Sequence, residues 1–394
     1  MSKRSNGEGT VAQRKDGRWV GAAYVYDSEG NKRRAYVYGK SRREAHEKLT
    51  TVLKRSQDGL PTESSDRLGE YLARWLTQVA KPQLRVRTYE TYVRCVNNHI
   101  IPYLGAKRLK SLTPTDVRGF LNQKTVEGLA PRTIQYFRAV LRSALAQAVR
   151  DGLLQRNVSA LVKPPRARRK HVEVLNAEEA RHLIRVSADD KFSALWVVAL
   201  TLGLRRSEIL GLTWSGIDFD KAAVRIYQGV QRAGGKLVID ELKSERSHRI
   251  LPLPAVTLRA LHRHRLVQQK QRFKMGQYWQ DYDLIFCTDI GKPFDPRNLN
   301  RAFRSLLIRA DVRLETTRDP QGKAQHKTKI RFHDLRHSCA SLLLLLGASP
   351  RVVMEILGHS GIAITMNTYA HVLPTLLGDT MTRMDSLFEE DTEG

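Results

Sequence analysis

The sequence predicts a mainly α-helical, multidomain α+β protein with small β elements. Short strands rich in aliphatic and aromatic residues stand near the N-terminus, and apolar residues then recur at every third or fourth position over residues 65–163. A proline-rich, basic stretch separates these from a third part that is mostly helical. Because a domain usually takes roughly 100–200 residues, the 394 residues allow two or three domains, which we place at 1–59, 60–165 and 166–394.

The first part, residues 1–59, is predicted to form a three-stranded sheet and a helix. Asp16-Gly17 is a hairpin-turn dipeptide between the first two strands, and Lys32–Gly39 supplies the third strand. Ser41-Arg42-Arg43-Glu44 is a capping box that opens the helix. Gly59-Leu60-Pro61 breaks the chain, so this small unit is expected to end there.

The second part, residues 60–165, is predicted to be all helix. Apolar and aromatic residues repeat at helical spacing from Leu68 to Leu76 and again from Thr88 to Ile101. We expect the second of these helices to stop at Pro102, because proline interrupts helical hydrogen bonding. The last helix runs from Pro131 to Asp151.

The third part, residues 166–394, follows a linker at Lys163–Lys170 in which two prolines precede a run of basic residues. Its first helix is expected to begin at Asn176, with Glu179 as the capping partner. The remainder is predicted to be mostly helical, with a hairpin around Val224–Pro252.

The chain is strongly basic, with 67 Lys and Arg against 40 Asp and Glu, a formal net charge of +27 and an isoelectric point near 10.2. Each of the three parts is net positive, whereas the last ten residues carry five carboxylates and no Lys or Arg. Because such an excess repels itself without a polyanion, nucleic acid is the first expected partner and an anionic membrane surface the second.

Membrane insertion and secretion are both disfavoured by the sequence. No run approaches the roughly 18–20 apolar residues that span a bilayer, and the first residues hold no apolar signal core. The three cysteines, Cys95, Cys287 and Cys339, are odd in number and widely spaced. This pattern suits a reduced intracellular protein and excludes a disulfide framework and a CxxC zinc site.

Five short stretches of the third part carry groups that could act on a phosphate. Taken singly, each has a plainer explanation, such as a helical salt bridge, a solvated charge run, a packed tyrosine or a hydrogen-bonded histidine. Two arginines, a lysine, two histidines and a tyrosine from these stretches, in this order, would make a plausible site. The stretches are Thr201–Glu208, Leu242–Leu253, Phe332–His337, Ile356–Ser360 and Thr365–His371.

This combination of side chains suits attack on a phosphodiester. A pentacovalent phosphorane carries about two negative charges, and arginines can hold its oxygens through bidentate hydrogen bonds. A tyrosine oxygen can be the nucleophile and keep the bond energy in an ester. A lysine or a histidine can protonate the leaving 5′ oxygen.

A zinc site at His333 and His337 is the alternative for the third stretch, because two histidines four residues apart on a helix can chelate a metal. The catalytic zinc pattern has glutamate directly after the first histidine, however, and this chain has Asp334 there. No pair of cysteines lies nearby, so the sequence favours a site without metal.

The motifs together resemble the tyrosine recombinases, in particular the integrases of phages and integrative elements. Residues 60–165 resemble the helical, SAM-like core-binding domain of that family, and residues 9–55 are similar to the small sheet-plus-helix domain that binds arm-type DNA sites. The resemblance implies a site-specific DNA recombinase that integrates or excises a mobile element. The matching motifs, in order over roughly 170 residues, are Gly203–Glu208, Lys243 before a strand, His333–His337, Leu357–Ser360 and Thr368-Tyr369.

The resemblance also implies a role for each active-site residue. The six catalytic positions that it assigns are Arg205, Lys243, His333, Arg336, His359 and Tyr369. Tyr369 attacks the scissile phosphate and forms a 3′-phosphotyrosyl link, while the two arginines clamp that phosphate. The lysine protonates the leaving 5′ oxygen, the first histidine assists proton transfer and the second hydrogen-bonds the phosphate. No metal, ATP or other cofactor is required.

The resemblance also implies supporting roles for neighbouring residues. Glu208 is expected to orient Arg205, and His337 to be structural. The register of Lys243 is open, because Arg246 and Arg249 lie on the same predicted hairpin.

Partners follow from the resemblance as well. They are double-stranded DNA with core and arm-type attachment sites, a homotetramer on two duplexes, and accessory DNA-bending or directionality proteins. The helical and catalytic domains are expected to close around the duplex, and Leu373–Phe388 to dock on a neighbouring protomer or, alternatively, to cap its own. The implied location is the reduced cytosol or nucleoid of a bacterium, with no membrane partner.

Two other functions are compatible with the sequence. A type IB topoisomerase would use the same chemistry to relax supercoils without exchanging strands between duplexes. A non-catalytic DNA-binding regulator is the alternative from another class, although it would have no use for the full set of catalytic residues.

Overall fold

The computed structural model describes residues 9–26, 32–57, 66–167, 173–242, 248–318 and 324–358. Within these ranges the chain is mostly helical with small sheets, which confirms the predicted fold class. The chain divides into two compact units, Met1–Arg169 and Lys170–Gly394. The finer division at residues 59 and 165 stays a prediction. Among the helices of the described ranges, none has the length and apolar character that a membrane crossing needs.

The first unit begins with an antiparallel three-stranded sheet and one helix, as the sequence predicts. These elements are β1 (Thr10–Gln13), β2 (Trp19–Tyr26), β3 (Lys32–Gly39) and α1 (Arg42–Gln57), with strand order β1-β2-β3. The helix packs on the sheet over the buried side chains of Val25, Ala45 and Leu49. A Cβ on Gly21 would lie 3.2 Å from the carbonyl oxygen of Ala45, so the strand needs glycine where the helix crosses it.

The outer face of this sheet is aromatic and basic. Because side chains alternate along a strand, the four tyrosines that share this face are exposed while Val25 between two of them is buried. The Lys32 ammonium lies 5.1 Å from the centre of the Tyr24 ring, and the Arg34 guanidinium lies 5.6 Å from that of Tyr36. The four tyrosines are Tyr24, Tyr26, Tyr36 and Tyr38.

The rest of the first unit is helical and packs around one apolar core. Its helices are α2 (Leu68–Trp75), α3 (Lys81–Gln83), α4 (Val86–Cys95), α5 (Ile101–Leu104), α6 (Pro114–Val126) and α7 (Pro131–Arg150). Phe120, Ile134 and Leu141 are fully buried in that core. The long helix predicted from Pro131 is confirmed.

The predicted stop at Pro102 is wrong. A π-helical turn, Val96–Ile100, joins α4 to α5, so the helical path continues past the proline to Leu104. In this turn the N–H of Ile101 donates to the carbonyl five residues back, at Val96. The wider turn accommodates a residue that has no N–H and whose ring crowds the carbonyl four residues before it.

The second unit is built around a helix that is buried along nearly its whole length. This helix, α9 (Ser193–Leu202), carries Trp196 at its centre, and α11 (Ala255–Met275) and α13 (Asp334–Leu345) pack against it. The other helices are α8 (Ala177–Val186), α10 (Arg206–Leu210), α11 (Ala255–Met275), α12 (Pro296–Arg309), α13 (Asp334–Leu345) and α14 (Pro350–Leu357). The predicted capping pair at the start of α8 is confirmed: Asn176 Oδ1 accepts from the N–H of Glu179 at 2.8 Å.

Three small antiparallel sheets complete this unit. They contain β4 (Ile217–Asp218), β5 (Ala223–Ile226) and β8 (Arg249–Pro252); β6 (Gln228–Ala233) and β7 (Lys236–Glu241); and β9 (Leu314–Arg318) and β10 (Ala324–Thr328). The first two sheets lie where the sequence predicts a hairpin. The β9–β10 pair was not predicted, because its strands are polar and show no apolar alternation.

Candidate active site

Two glycines that end helices place the backbone carbonyls on which the candidate site is built. Gly203 follows α9 with φ of +57°, and Gly358 follows α14 with φ of +65°. These left-handed conformations are the usual way to end a helix, and glycine adopts them without strain. A Cβ on Gly203 would lie 2.5 Å from Leu357 Cδ2, so neither conformation nor space admits a larger residue there.

Arg336 is anchored on the first of these carbonyls. Its Nη1 donates to the oxygen of Gly203 at 2.9 Å, across 133 residues of sequence. The side chain lies on α13 and is only 3 % exposed. The guanidinium is therefore held in one place from inside the unit.

Arg205 is anchored on the second carbonyl and on a carboxylate. It immediately precedes α10, and its Nη2 donates to the oxygen of Gly358 at 2.8 Å. Its Nη1 donates to Glu208 Oε1 at 2.6 Å, and its N–H to Glu208 Oε2 at 3.0 Å. The expected contact between Arg205 and Glu208 is thus present, and 38 % of the Arg205 side chain remains exposed.

Glu208 has a second cationic partner that sequence reasoning did not assign. Arg249 on β8 donates from Nη2 to Glu208 Oε2 at 3.0 Å. Burial raises the pKa of Glu208, but the guanidiniums of Arg249 and Arg205 outweigh it and hold the pKa below its ordinary value. The carboxylate is therefore ionised at neutral pH, and it stabilises two arginines at once.

The start of α13 brings two histidines beside Arg336. The rings of His333 and His337 meet edge to face, with centroids 5.3 Å apart. Partial burial lowers the pKa of His333, and the guanidinium of Arg336 lowers it further. Arg205 contributes to the same lowering, so the three described candidates act on one another electrostatically.

Asp334 is held in a way that fits a structural role. It is 2 % exposed, and its oxygens accept from the Arg331 backbone N–H at 2.7 Å and from the Arg331 guanidinium at 2.9 Å. Within the described ranges, no group of three or more His, Cys, Asp or Glu side chains could hold a metal ion.

A basic cleft opens next to His333. Three guanidiniums line it, one of them the Arg331 group that also contacts Asp334, and none of the described residues that line it is acidic. These residues come from three separate parts of the sequence, so no single motif could indicate the cleft. They are Arg206, Asn300, Phe303, Arg304, Thr328, Ile330, Arg331, Phe332 and His333.

Three of the six predicted catalytic residues, Lys243, His359 and Tyr369, lie outside the described residues, as does Arg246. The register of the lysine therefore stays a prediction.

Residues 173–375 of this chain match the phage integrase family, and residues 67–125 match the N-terminal SAM-like domain of phage integrases. The chain belongs to the phage integrase family. It is a tyrosine recombinase, and the resemblance found in the sequence motifs is confirmed. This assignment favours a recombinase over a topoisomerase or a non-catalytic regulator.

Relatives of this integrase match it over nearly their whole length. An integrase of Saccharopolyspora erythraea is 26 % identical, and one of Streptomyces ambofaciens is 29 % identical; each match covers 98 % of both chains. Among solved structures, the Tn1549 transposon integrase in complex with a circular intermediate DNA superposes with a TM-score of 0.66 at 21 % identity, covering 81 % of this chain and 100 % of that one. A lambda integrase dimer bound to a COC′ core site gives 0.55 at 16 % identity, covering 93 % and 96 %.

His337 on α13 should make the stability of the integrase sensitive to acid. Burial lowers the pKa of His337 from 6.5 to about 4, and the His333 ring contributes to this lowering. In the unfolded chain His337 is protonated below about pH 6.5, whereas in the folded chain it stays neutral down to about pH 4. The free energy of unfolding therefore falls as the pH drops from about 6.5 to 4. We expect His337 to account for a loss on the order of 2 kcal/mol.

Urea unfolding at pH 7 and pH 4.5, in the unmodified chain and in His337→Gln, measures this effect. The variant should show a smaller stability difference between the two pH values. If the stability difference between pH 7 and pH 4.5 were the same in both proteins, His337 would not be the source of the acid sensitivity.

Proposed function

We propose that Arg205, Lys243, His333, Arg336, His359 and Tyr369 carry out DNA strand cleavage and rejoining in this integrase. The observation that carries the proposal is the anchoring of two guanidiniums on backbone carbonyls, Arg336 on Gly203 and Arg205 on Gly358. Donors that are already fixed need no reorganisation as charge develops on the phosphorane, which makes them effective in the transition state.

The proposed step is a transesterification at phosphorus. The Tyr369 oxygen forms a bond to the scissile phosphorus and gives its proton to His333, and the bond from phosphorus to the 5′ oxygen breaks. Lys243 gives the leaving oxygen a proton, His333 assists proton transfer and His359 hydrogen-bonds the phosphate. The product is a 3′-phosphotyrosyl ester and a free 5′ hydroxyl. A 5′ hydroxyl of the partner duplex then reverses the step, so the ester bond supplies the energy for rejoining.

The basic cleft beside His333 is suited to hold the DNA backbone near the reacting phosphate. Arg206, Arg304 and Arg331 offer guanidiniums there, and such contacts position a duplex without reading its sequence.

We assign residues 60–165 to a core-binding domain and residues 166–394 to the catalytic domain on the same duplex. Residues 1–59 form the arm-type DNA-binding domain in this proposal. Its exposed tyrosines share one face of the sheet with Lys32 and Arg34, and such a surface can contact phosphates and bases together.

The active assembly is proposed to be a homotetramer on two duplexes. Support comes from the likeness in fold to a lambda integrase tetramer bound to a Holliday junction, with a TM-score of 0.55 at 16 % identity. The segment Leu373–Phe388, which lies outside the described residues, is proposed to link protomers. Accessory DNA-bending or directionality proteins and a bacterial cytosolic location complete the proposal.

A covalent trapping experiment tests the proposed chemistry. The full chain is incubated with a nicked suicide duplex carrying an attachment site, in buffer containing EDTA, and the products are separated under denaturing conditions. We expect a covalent protein–DNA adduct whose DNA-bearing peptide contains Tyr369. Loss of the adduct in EDTA would contradict the metal-free mechanism, and attachment to a different peptide would contradict the nucleophile.

A further inference from the structure

Arg249 joins two parts of the catalytic unit that are far apart in sequence. Its Nη2 donates to Glu208 Oε2 at 3.0 Å, and its Nε donates to the carbonyl oxygen of Ile356 at 2.9 Å. Only 9 % of its side chain is exposed. The guanidinium therefore donates hydrogen bonds to two internal partners and is nearly buried, whereas the Arg205 side chain is partly exposed.

Gly358 shows how closely this guanidinium is packed. A Cβ on Gly358 would lie 2.8 Å from Arg249 Nη1 and 3.1 Å from Arg249 Cζ. The carbonyl of the same glycine accepts from Arg205. The contacts therefore form a closed ring that runs from Arg205 to Glu208, to Arg249, to the last turn of α14 and back to Arg205.

The charges in this ring depend on one another. Glu208 is 1 % exposed, so its carboxylate needs cationic partners in place of water. Without Arg249 it would keep one guanidinium, and α14 would lose a donor that holds Ile356. Arg205 would then keep its charge but lose its fixed direction, which costs transition-state stabilisation more than ground-state binding.

We propose that Arg249 is a positioning residue, which sets the direction of the Arg205 guanidinium through Glu208 and holds the end of α14 against both. The proposal rests on the proposed catalytic role of Arg205. The same contacts argue against one alternative for the lysine register, in which Arg249 takes the place of Lys243, because the Arg249 side chain is engaged inside the unit.

The first test compares Arg249→Met and Arg249→Lys in the full chain. We expect Arg249→Met to lower the single-turnover cleavage rate at saturating DNA by about 30- to 100-fold, with DNA affinity within about threefold of that of the unmodified chain. Arg249→Lys keeps a charge beside Glu208 and should recover about tenfold of the loss. Arg313→Met is the matched control, since Arg313 forms an ion pair with Glu179 at 2.7 Å, and it should cleave normally.

The second test uses glycines and leaves Arg249 intact. In Gly358→Ala the new Cβ would displace the Arg249 guanidinium, so cleavage should fall as in Arg249→Met. Gly347→Ala is the control for backbone strain, because Gly347 has φ of +86° but open space where a Cβ would stand. It should cleave close to normally. This comparison remains informative if Arg249→Met does not fold.

Two outcomes would overturn the proposal. One is that Gly358→Ala cleaves as fast as Gly347→Ala. The other is that Arg249→Met weakens DNA binding and leaves saturating cleavage unchanged, which would make Arg249 a DNA contact. Failure of the proposed function is distinguishable from both, because the unmodified chain would then form no adduct, or Arg205→Ala would cleave normally.

Discussion

Replacing Tyr369 with phenylalanine is expected to reduce the covalent protein–DNA adduct below detection, while DNA affinity stays within about threefold of that of the unmodified chain. The substitution removes one hydroxyl group and keeps the ring. Because that hydroxyl oxygen is the proposed nucleophile, no neighbouring group can form the same ester in its place. Binding rests on many phosphate contacts elsewhere, so it should be nearly unchanged.

The measurement is adduct formation on the nicked suicide duplex, alongside a gel-shift titration. Tyr227→Phe is the matched control, because Tyr227 is a hydroxyl-bearing tyrosine of the same unit that contacts Thr213 Oγ1 at 3.2 Å. It should form the adduct at a normal rate. An adduct in Tyr369→Phe would exclude this residue as the nucleophile.

Local signals in the sequence were reliable where local contacts decide the structure. The capping pair of Asn176 and Glu179 and the turn at Asp16-Gly17 depend on residues a few positions apart, and both were predicted correctly. The prediction of a helix end at Pro102 was wrong because the effect of a proline depends on whether the preceding helical turn can widen. The spacing of apolar residues does not show whether it can. The β9–β10 pair was missed because its polar strands are held by backbone pairing, which leaves no apolar pattern.

The same distinction applies to the candidate site. The contact from Arg205 to Glu208 spans three residues and could be predicted. The contact from Arg249 to Glu208 spans 41 residues and that from Arg336 to Gly203 spans 133, so only the fold brings these groups together. In the sequence, Arg249 is an arginine at the start of a short predicted strand. That position is equally compatible with an exposed side chain, so it did not indicate a contact with Glu208.

Arg205→Ala is expected to lower the single-turnover cleavage rate by about 100- to 1000-fold, with DNA affinity within about threefold. The reason is the direction of its guanidinium, which is fixed by Glu208 and by the carbonyl of Gly358 before any ligand arrives. A fixed donor contributes most when negative charge grows on the phosphate, so its removal affects the transition state more than the bound ground state. Cleavage at saturating DNA and a separate binding titration distinguish the two effects.

Stability should change much less than cleavage in this variant. Arg205 is partly exposed, and Glu208 keeps Arg249 as a partner after the substitution, so we expect a loss of only about 1–3 kcal/mol in the free energy of unfolding. Arg205→Lys is the informative companion, because lysine keeps the charge but cannot contact Glu208, Gly358 and a phosphate together. If Arg205→Ala instead bound DNA more weakly but cleaved at a normal rate, this arginine would be a ground-state DNA contact. Its fixed position would then contribute to DNA binding and not to stabilisation of the transition state.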